Sequence, residues 1–332
     1  MDQIIIDIHN WNDLDLDKLA EFTYRARQAR PETYNENRTI ESEKRLIKFQ
    51  KQFVPAKVIT SYANSELIGW LSCDTSSTTI LEIGRWLPIV FPCDKEKKIV
   101  SLLIEKCKEY SLTLNYPRIE VTFSINDKQD KQAYEIYRNW YTTNDMLKKD
   151  EIVYMLRNLS ENDISELNLP EIFETKSVKE TKDSKLYKCY YEAFIQGKDR
   201  MFQNQTDKER KDYFDDYYSR SKPYIEEASL IIRKKGHLDI LGFSLVRPRE
   251  DDAHVALIVI HPKYQRRNLG KMLLKLIIKK SAKRGFKTIS LGVDSQNTPA
   301  LKLYLNNGFQ IRSRIITHSW RLNRPDYVLE NG

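Results

Sequence analysis

Cysteine is scarce: the 332-residue chain has four, at positions 73, 93, 107 and 189, and no two of them form a CxxC pair. That spacing argues against a disulfide framework and a structural zinc site, and leaves the thiols as buried or idle small groups. No metal is expected. No apolar run approaches the roughly 18–20 residues a membrane span requires, so no membrane partner is expected either. The start, Met1-Asp2-Gln3-Ile4-Ile5-Ile6-Asp7, has no basic n-region and no small-residue cleavage site. It reads as carrying no signal peptide, and the expected location is cytoplasmic. Helix-turn-helix, zinc-finger and RNA-recognition signatures are also missing, which counts against a nucleic-acid partner despite a net charge of +8.

What is present is enough apolar and charged material for two ordinary domains, laid out in an order of elements that occurs twice. In the first half, strands are expected at 4–8, 56–62, 66–73, 79–90, 118–124 and 151–156, and helices at 14–29, 40–53, 95–110 and 130–140. In the second, strands are expected at 172–178, 229–234, 238–246, 254–260, 287–293 and 309–321. Helices fall at 185–196, 207–219, 269–284 and 299–306. Gly285 stops the long helix, on which Leu273, Leu276 and Ile277 form the apolar face. A repeat at roughly 165 residues implies duplication of a whole domain, and the alternation implies a mixed α/β sheet covered by helices. The polar stretch 158–170 marks the boundary: a domain at 1–158, a linker at 159–170 and a domain at 171–332.

From Lys263 to Lys287 there are ten Lys or Arg residues and no acid. Lys271, Lys275, Lys279 and Lys283 recur every four residues, as on the solvated face of a helix. The loop before that helix is more specific. The strand His254-Val-Ala-Leu-Ile258-Val259-Ile260 ends at His261-Pro262, and Gln265-Arg266-Arg267-Asn268-Leu269-Gly270-Lys271 leads into the helix. A helix start offers unpaired backbone N–H groups and the positive end of a dipole, and three cationic side chains add to it. Pyrophosphate fits such a place.

This segment resembles motif A of the GNAT superfamily of acyl-CoA N-acyltransferases, Gln/Arg-x-x-Gly-x-Gly/Ala after a strand, with Gln265 and Gly270 in place and Asn268 where the first glycine stands. About 30 residues on, Asn297-Thr-Pro-Ala300-Leu-Lys-Leu-Tyr304-Leu-Asn-Asn-Gly308-Phe309 resembles motif B, Asn-x-x-Ala-x-x-x-Tyr-x-x-x-Gly-Phe. The resemblance covers roughly 170–325 and implies a mixed, mostly antiparallel sheet flanked by helices. The co-substrate it implies is acetyl-CoA, the acceptor an amine on a small molecule or a protein. It further implies that the amides of Arg266, Arg267, Asn268, Leu269, Gly270 and Lys271 receive the pyrophosphate. The main chain of Ile258, Val259 and Ile260 would pair with the pantetheine arm, and Asn297 would support it. Tyr304 is then the general acid that protonates the departing CoA thiolate, and His254 the candidate general base, with Asp251, Asp252 or a water relay as alternatives.

Each of these residues also has a plainer reading. Tyr304 could be a packed aromatic, His254 a polar strand residue, His261 a cap before Pro262, Asn297 a helix cap and Asp294 a turn residue. In the first half, the segment matching the phosphate loop is Phe91-Pro-Cys-Asp94-Lys-Glu96-Lys-Lys98. It has no glycine and two acids, and motif B survives only as Ala133-Tyr-Glu-Ile-Tyr137. Residues 1–158 therefore read as a degenerate GNAT-like domain that does not bind CoA. A CoA-binding scaffold without catalysis and a nucleic-acid surface on the 263–287 patch are the competing functions.

Overall fold

In the computed structural model, which describes residues 3–30, 32, 38–53, 56–77, 80–164, 169–197 and 199–322, the doubled element order is present. The first run is β1 (Ile5–Asn10), α1 (Leu16–Gln28), α2 (Ile40–Phe53), β2 (Ala56–Ala63), β3 (Glu66–Asp74), β4 (Leu81–Ile83) and β5 (Ile89–Val90). It continues with α3 (Glu96–Thr113), β6 (Arg118–Ile125), α4 (Lys128–Thr143) and β7 (Leu147–Asn158). The second run is β8 (Phe173–Ser177), α5 (Asp183–Ile195), α6 (Arg200–Gln203), α7 (Asp207–Tyr217), β9 (Leu230–Lys234), β10 (Gly242–Arg249) and β11 (Asp252–Ile260). Then come α8 (Leu269–Lys283), β12 (Thr288–Asp294), α9 (Thr298–Leu305) and β13 (Gln310–Arg321). Local chemistry sets many of the boundaries. Asp15 caps α1 by accepting from the amides of Asp17 and Lys18, and Thr206 with Glu209 forms a capping box on α7. Gly285, with φ +88°, ends α8 as expected.

The chain forms two compact units, but not where its polar stretch suggests. One comprises Met1–Glu151 with Arg314–Gly332, the other Ile152–Ser313. The breaks fall inside β7 and β13, each twelve residues long. Ile152–Asn158 pairs antiparallel with Asp294–Thr288 of β12, while Arg314–Arg321 pairs antiparallel with Ile125–Arg118 of β6. Each unit thus takes a strand from the other half of the sequence, and backbone pairing rather than linker composition sets the division. Of the expected linker, residues 165–168 lie outside the described residues.

Within each unit the strands are antiparallel except for one parallel pair, β4 with β6 in the first and β11 with β12 in the second. In the second unit α8 buries Leu273, Leu276 and Ile277, while Lys271, Lys275 and Lys283 lie on its exposed side. Aromatic residues of α5 and α7, Tyr190 and Phe214, pack with Leu257 and Val259. The strand leading into the loop before α8 is therefore held from both faces.

Candidate active site

The site begins with an irregularity in β11. Its register with β10 shifts so that Leu257 faces Leu245 and Val255 faces Val246, leaving Ala256 as an extra residue. A bulge bends its strand and increases its twist. β11 pairs with β12 only over Asp252–Val255, and beyond the bulge the two parallel strands are no longer partners. The His261 N–H donates to the Leu241 carbonyl at 2.9 Å. By strand alternation Val259 also turns its peptide groups toward β10. Those of Ile258 and Ile260 face the side from which β12 has departed. Gly242 makes this tight pairing feasible, since a Cβ there would lie 2.4 Å from the Val259 carbonyl oxygen. Of the three residues expected along the pantetheine arm, Val259 is thus committed to the sheet.

The loop that follows is held by its own side chains. Gln265 donates from its amide to the Ile260 carbonyl at 3.0 Å, so it braces the loop against the strand end. His261 caps the turn by accepting from the Lys263 amide at 3.2 Å, while its Nε2 lies 2.6 Å from Glu192. Arg266 and Asn268 both adopt left-handed backbone, with φ of 58° and 60°. For asparagine this is tolerable; for arginine it stores about 1 kcal/mol or more. The result is a run of amides, Arg266 to Lys271, none of which meets an acceptor among the described residues; the first helical bond runs from the Met272 N–H to the Asn268 carbonyl. Alternating handedness of this kind gathers N–H groups into an anion-binding concavity. Arg266, Arg267 and Lys271 are exposed around it, and the Leu269 side chain is buried as the helix anchor.

Asn268 makes no side-chain cap, so Asn268→Gly forfeits no bond and relieves the left-handed strain. It is expected to leave stability unchanged or raise it by up to about 1 kcal/mol, whereas Asn268→Val is expected to cost about 1–3 kcal/mol. Urea denaturation of the two variants checks the sign.

α9 meets this loop at Gly270, whose Cβ position lies 3.6 Å from Ile260 and 3.7 Å from Leu303. Asn297 caps α9, accepting from the Ala300 amide at 3.3 Å, which leaves its NH2 group as a donor. Gly308, with φ +82°, turns the chain out of the helix, and the Phe309 N–H returns to the Tyr304 carbonyl at 3.1 Å. That places the Phe309 ring 5.8 Å from the Tyr304 ring. The Gly-Phe pair is thus a helix stop that buttresses the tyrosine. The Tyr304 ring is buried, and its hydroxyl makes no hydrogen bond among the described residues. Burial alone pushes its pKa up, so the phenol is protonated at neutral pH. Asp294, the residue at the end of β12, accepts from the Gln296 amide at 2.7 Å and from the Arg200 amide at 2.8 Å. It is a turn residue and also fixes the start of α6.

His254 is buried at the far end of β11, and its Nδ1 lies 3.0 Å from the Ser290 hydroxyl. That hydroxyl donates to Asp252. With its single proton so used, Ser290 must accept from His254 Nδ1–H, which leaves Nε2 as the free base. This Asp–Ser–His relay joins two strands and has no signature in the sequence. The Tyr154 ring stacks on the imidazole at 6.3 Å. Burial, followed by Arg249 and Arg247, lowers the His254 pKa to about 4. In the unfolded chain a histidine takes its proton near 6.5. The folded state is therefore at full stability above pH 6.5 and loses about 3 kcal/mol as pH falls toward 4. His254→Asn is expected to flatten this slope, measured as denaturant midpoints across that pH range.

The first unit differs at the matching place. In place of the continuous strand expected at 79–90, β4 and β5 are separated at 84–88; residue 79 lies outside the described residues. Tyr137, at the position of Tyr304, donates instead to the Trp86 carbonyl at 2.9 Å, and Tyr141 donates to the Leu87 carbonyl. The Trp86 ring packs edge-on against Phe123 and Tyr137 at 5.2 and 5.6 Å.

A splayed parallel pair, an open amide loop and a buttressed tyrosine stand in one unit, and residues 191–309 match the model of the acetyltransferase (GNAT) family. Over that stretch the chain is similar to GNAT acetyltransferases. Among curated relatives, the [ribosomal protein bS18]-alanine N-acetyltransferase of Escherichia coli (strain K12) is 37% identical over 68 residues, 20% of this chain and 46% of that protein. Its counterpart in Salmonella typhimurium (strain LT2) matches to the same extent. The chain thus spans about half the length of the curated relatives it matches. A GCN5-related N-acetyltransferase from Sphaerobacter thermophilus superposes with a TM-score of 0.57 at 14% identity, covering 97% of both chains. A GCN5-related glucosamine N-acetyltransferase region of a fungal multi-domain β-N-acetylglucosaminidase gives 0.54 at 11% identity, over 96% of this chain and 38% of that one. At these identities the likeness is one of fold, and it extends to both units: the chain is a tandem of GNAT-like folds. Among the described residues, no helix is long and apolar enough to cross a membrane.

Proposed function

We propose that the C-terminal GNAT unit transfers an acetyl group from acetyl-CoA to a primary amine by direct attack within a ternary complex. The observation that carries this reading is the run of six main-chain N–H groups, Arg266 to Lys271, that meet no acceptor among the described residues, at the foot of the opening between β11 and β12. That opening suits an amide-rich arm, which would add to the strand edge at Ile258 and Ile260. An N–H on that edge can polarise the thioester carbonyl. The amine lone pair forms the new C–N bond, the C–S bond breaks, and the sulfur leaves as a thiolate that takes the Tyr304 proton. His254 Nε2 is the base that receives the amine proton, directly or through water, and Asn297 donates to the arm.

The two curated relatives named above acetylate an alanine of a ribosomal protein, so a peptide with an N-terminal alanine heads the acceptor panel, ahead of free polyamines and amino sugars. Calorimetric titration with acetyl-CoA, followed by thiol release in the presence of each amine, tests the reading. Binding with turnover on at least one amine supports it. Binding without turnover on any amine favours a CoA-responsive scaffold, and absence of binding overturns both.

A further inference from the structure

Where β11 ends, the apolar packing that fixes it to α5 gives way to a single polar link. Up to Val259 the strand shares a core with Tyr190 and Ala193 of α5. Beyond it, His261 Nε2 lies 2.6 Å from the Glu192 carboxylate. Among the described residues this is the one hydrogen bond from α5 to residues 261–271. Its direction is set by the other ring nitrogen. Nδ1 accepts from the Lys263 N–H at 3.2 Å, so the ring proton sits on Nε2 and is donated to Glu192. A carboxylate holds that tautomer firmly, because a charged acceptor makes the stronger bond. In the other tautomer Nδ1–H would face the Lys263 N–H, donor against donor, and the turn would lose its cap.

That turn carries the anion loop. The Tyr264 N–H returns to the His261 carbonyl at 2.8 Å and the Gln265 N–H to the Pro262 carbonyl at 3.2 Å. Arg266, next in line, is already left-handed, and such backbone persists only where its surroundings hold it. Side chains follow the same path. The Tyr264 ring stands 5.7 Å from the imidazole, and the Arg267 guanidinium 5.8 Å from the Tyr264 ring. Stability asks little of the Glu192 bond. Its two side chains are 37% and 18% exposed, and the buried Leu186, Cys189 and Tyr190 already anchor α5. The other ion-pair partner of Glu192, Lys188 at 3.9 Å, is on its own helix.

We propose that Glu192 is a positioning residue for the anion loop: by fixing the His261 tautomer it holds the turn at 262–264, and through it the amides of Arg266 to Lys271, in the shape that receives a diphosphate. The role assumes that this loop is where acetyl-CoA binds, as proposed above. The full chain and its variants are titrated calorimetrically with acetyl-CoA, and exchange of the Lys263 amide is followed by NMR in the free protein. Glu192→Leu removes the acceptor. It is expected to weaken acetyl-CoA binding and to speed Lys263 exchange by about tenfold each, the usual worth of a charge-assisted hydrogen bond, with the melting temperature kept. Glu192→Gln, whose amide oxygen still accepts from Nε2–H, should stay within about threefold of wild type in both. His261→Asn brings a cap of its own, since its side-chain oxygen can accept from the Lys263 N–H without help from α5. In that background Glu192→Leu should change the acetyl-CoA Kd by less than about twofold. Unchanged affinity in Glu192→Leu, an equal loss in Glu192→Gln, or the same loss in both backgrounds would overturn the assignment. A wild-type chain that binds no acetyl-CoA would instead overturn the co-substrate reading. The Lys263 exchange rates would then decide the tether alone, a response to Glu192→Leu supporting it and none overturning it.

Discussion

Tyr304→Phe is expected to reduce turnover by about 10²- to 10⁴-fold, the usual contribution of a positioned acid, with acetyl-CoA affinity unchanged. Two features make the substitution clean. The ring is buried and rests on Phe309, so phenylalanine fills the same volume. The hydroxyl has no hydrogen-bond partner among the described residues, so its removal should change stability by less than about 1 kcal/mol. Burial raises the phenol pKa, which makes the tyrosine a weak acid at rest. The same dry surroundings make the departing thiolate strongly basic, so the proton moves when the C–S bond breaks and not before. Steady-state kinetics with thiol detection measures the first effect and calorimetry the second. If turnover is undiminished, Tyr304 has no part in the proton transfer, and its place in motif B is that of a packed aromatic.

The parts of this site that could be read in the sequence are those fixed by short stretches of chain. Gln265, Gly270 and Gly308 sit at turns and helix ends whose geometry depends on a few neighbouring residues, and the helices of both units follow from 3.6-residue periodicity. Asn268 could be read as a left-handed position because asparagine is one of the few residues that accept it. The parts that could not be read depend on pairing across the chain. The bulge at Ala256 that opens β11 from β12 is a matter of register with β10, and nothing in Val-Ala-Leu marks it. The strand exchange through β7 and β13 pairs residues more than 100 positions apart. The Asp252–Ser290–His254 relay joins two strands 36 residues apart through side chains that are individually unremarkable. In the first unit the absence of glycine from 91–98 could be read, but the packing of Trp86 against Phe123 and Tyr137 could not. That follows from how β4 and β5 break, which strand periodicity does not report.

Gly270→Glu separates the folding role of the loop from its binding role. Gly270 is the second residue of α8, and a Cβ there meets only Ile260 and Leu303 at ordinary contact distances of 3.6 and 3.7 Å. A carboxylate in the first turn of a helix is favourable by about 0.3–1 kcal/mol, and losing glycine's chain entropy helps in the same direction. The variant should therefore melt no lower than the wild type. Its carboxylate, however, would occupy the same concavity of N–H groups that faces outward from Arg266 to Lys271. A diphosphate arriving there would meet a like charge, which costs several kcal/mol. Acetyl-CoA affinity is expected to fall by about a hundredfold or more, whereas Gly270→Gln, of the same shape but neutral, should lose far less. If the glutamate and glutamine variants bind acetyl-CoA equally well, the amides of this loop do not hold the pyrophosphate. The positive charge of the 263–287 segment would then need a different partner.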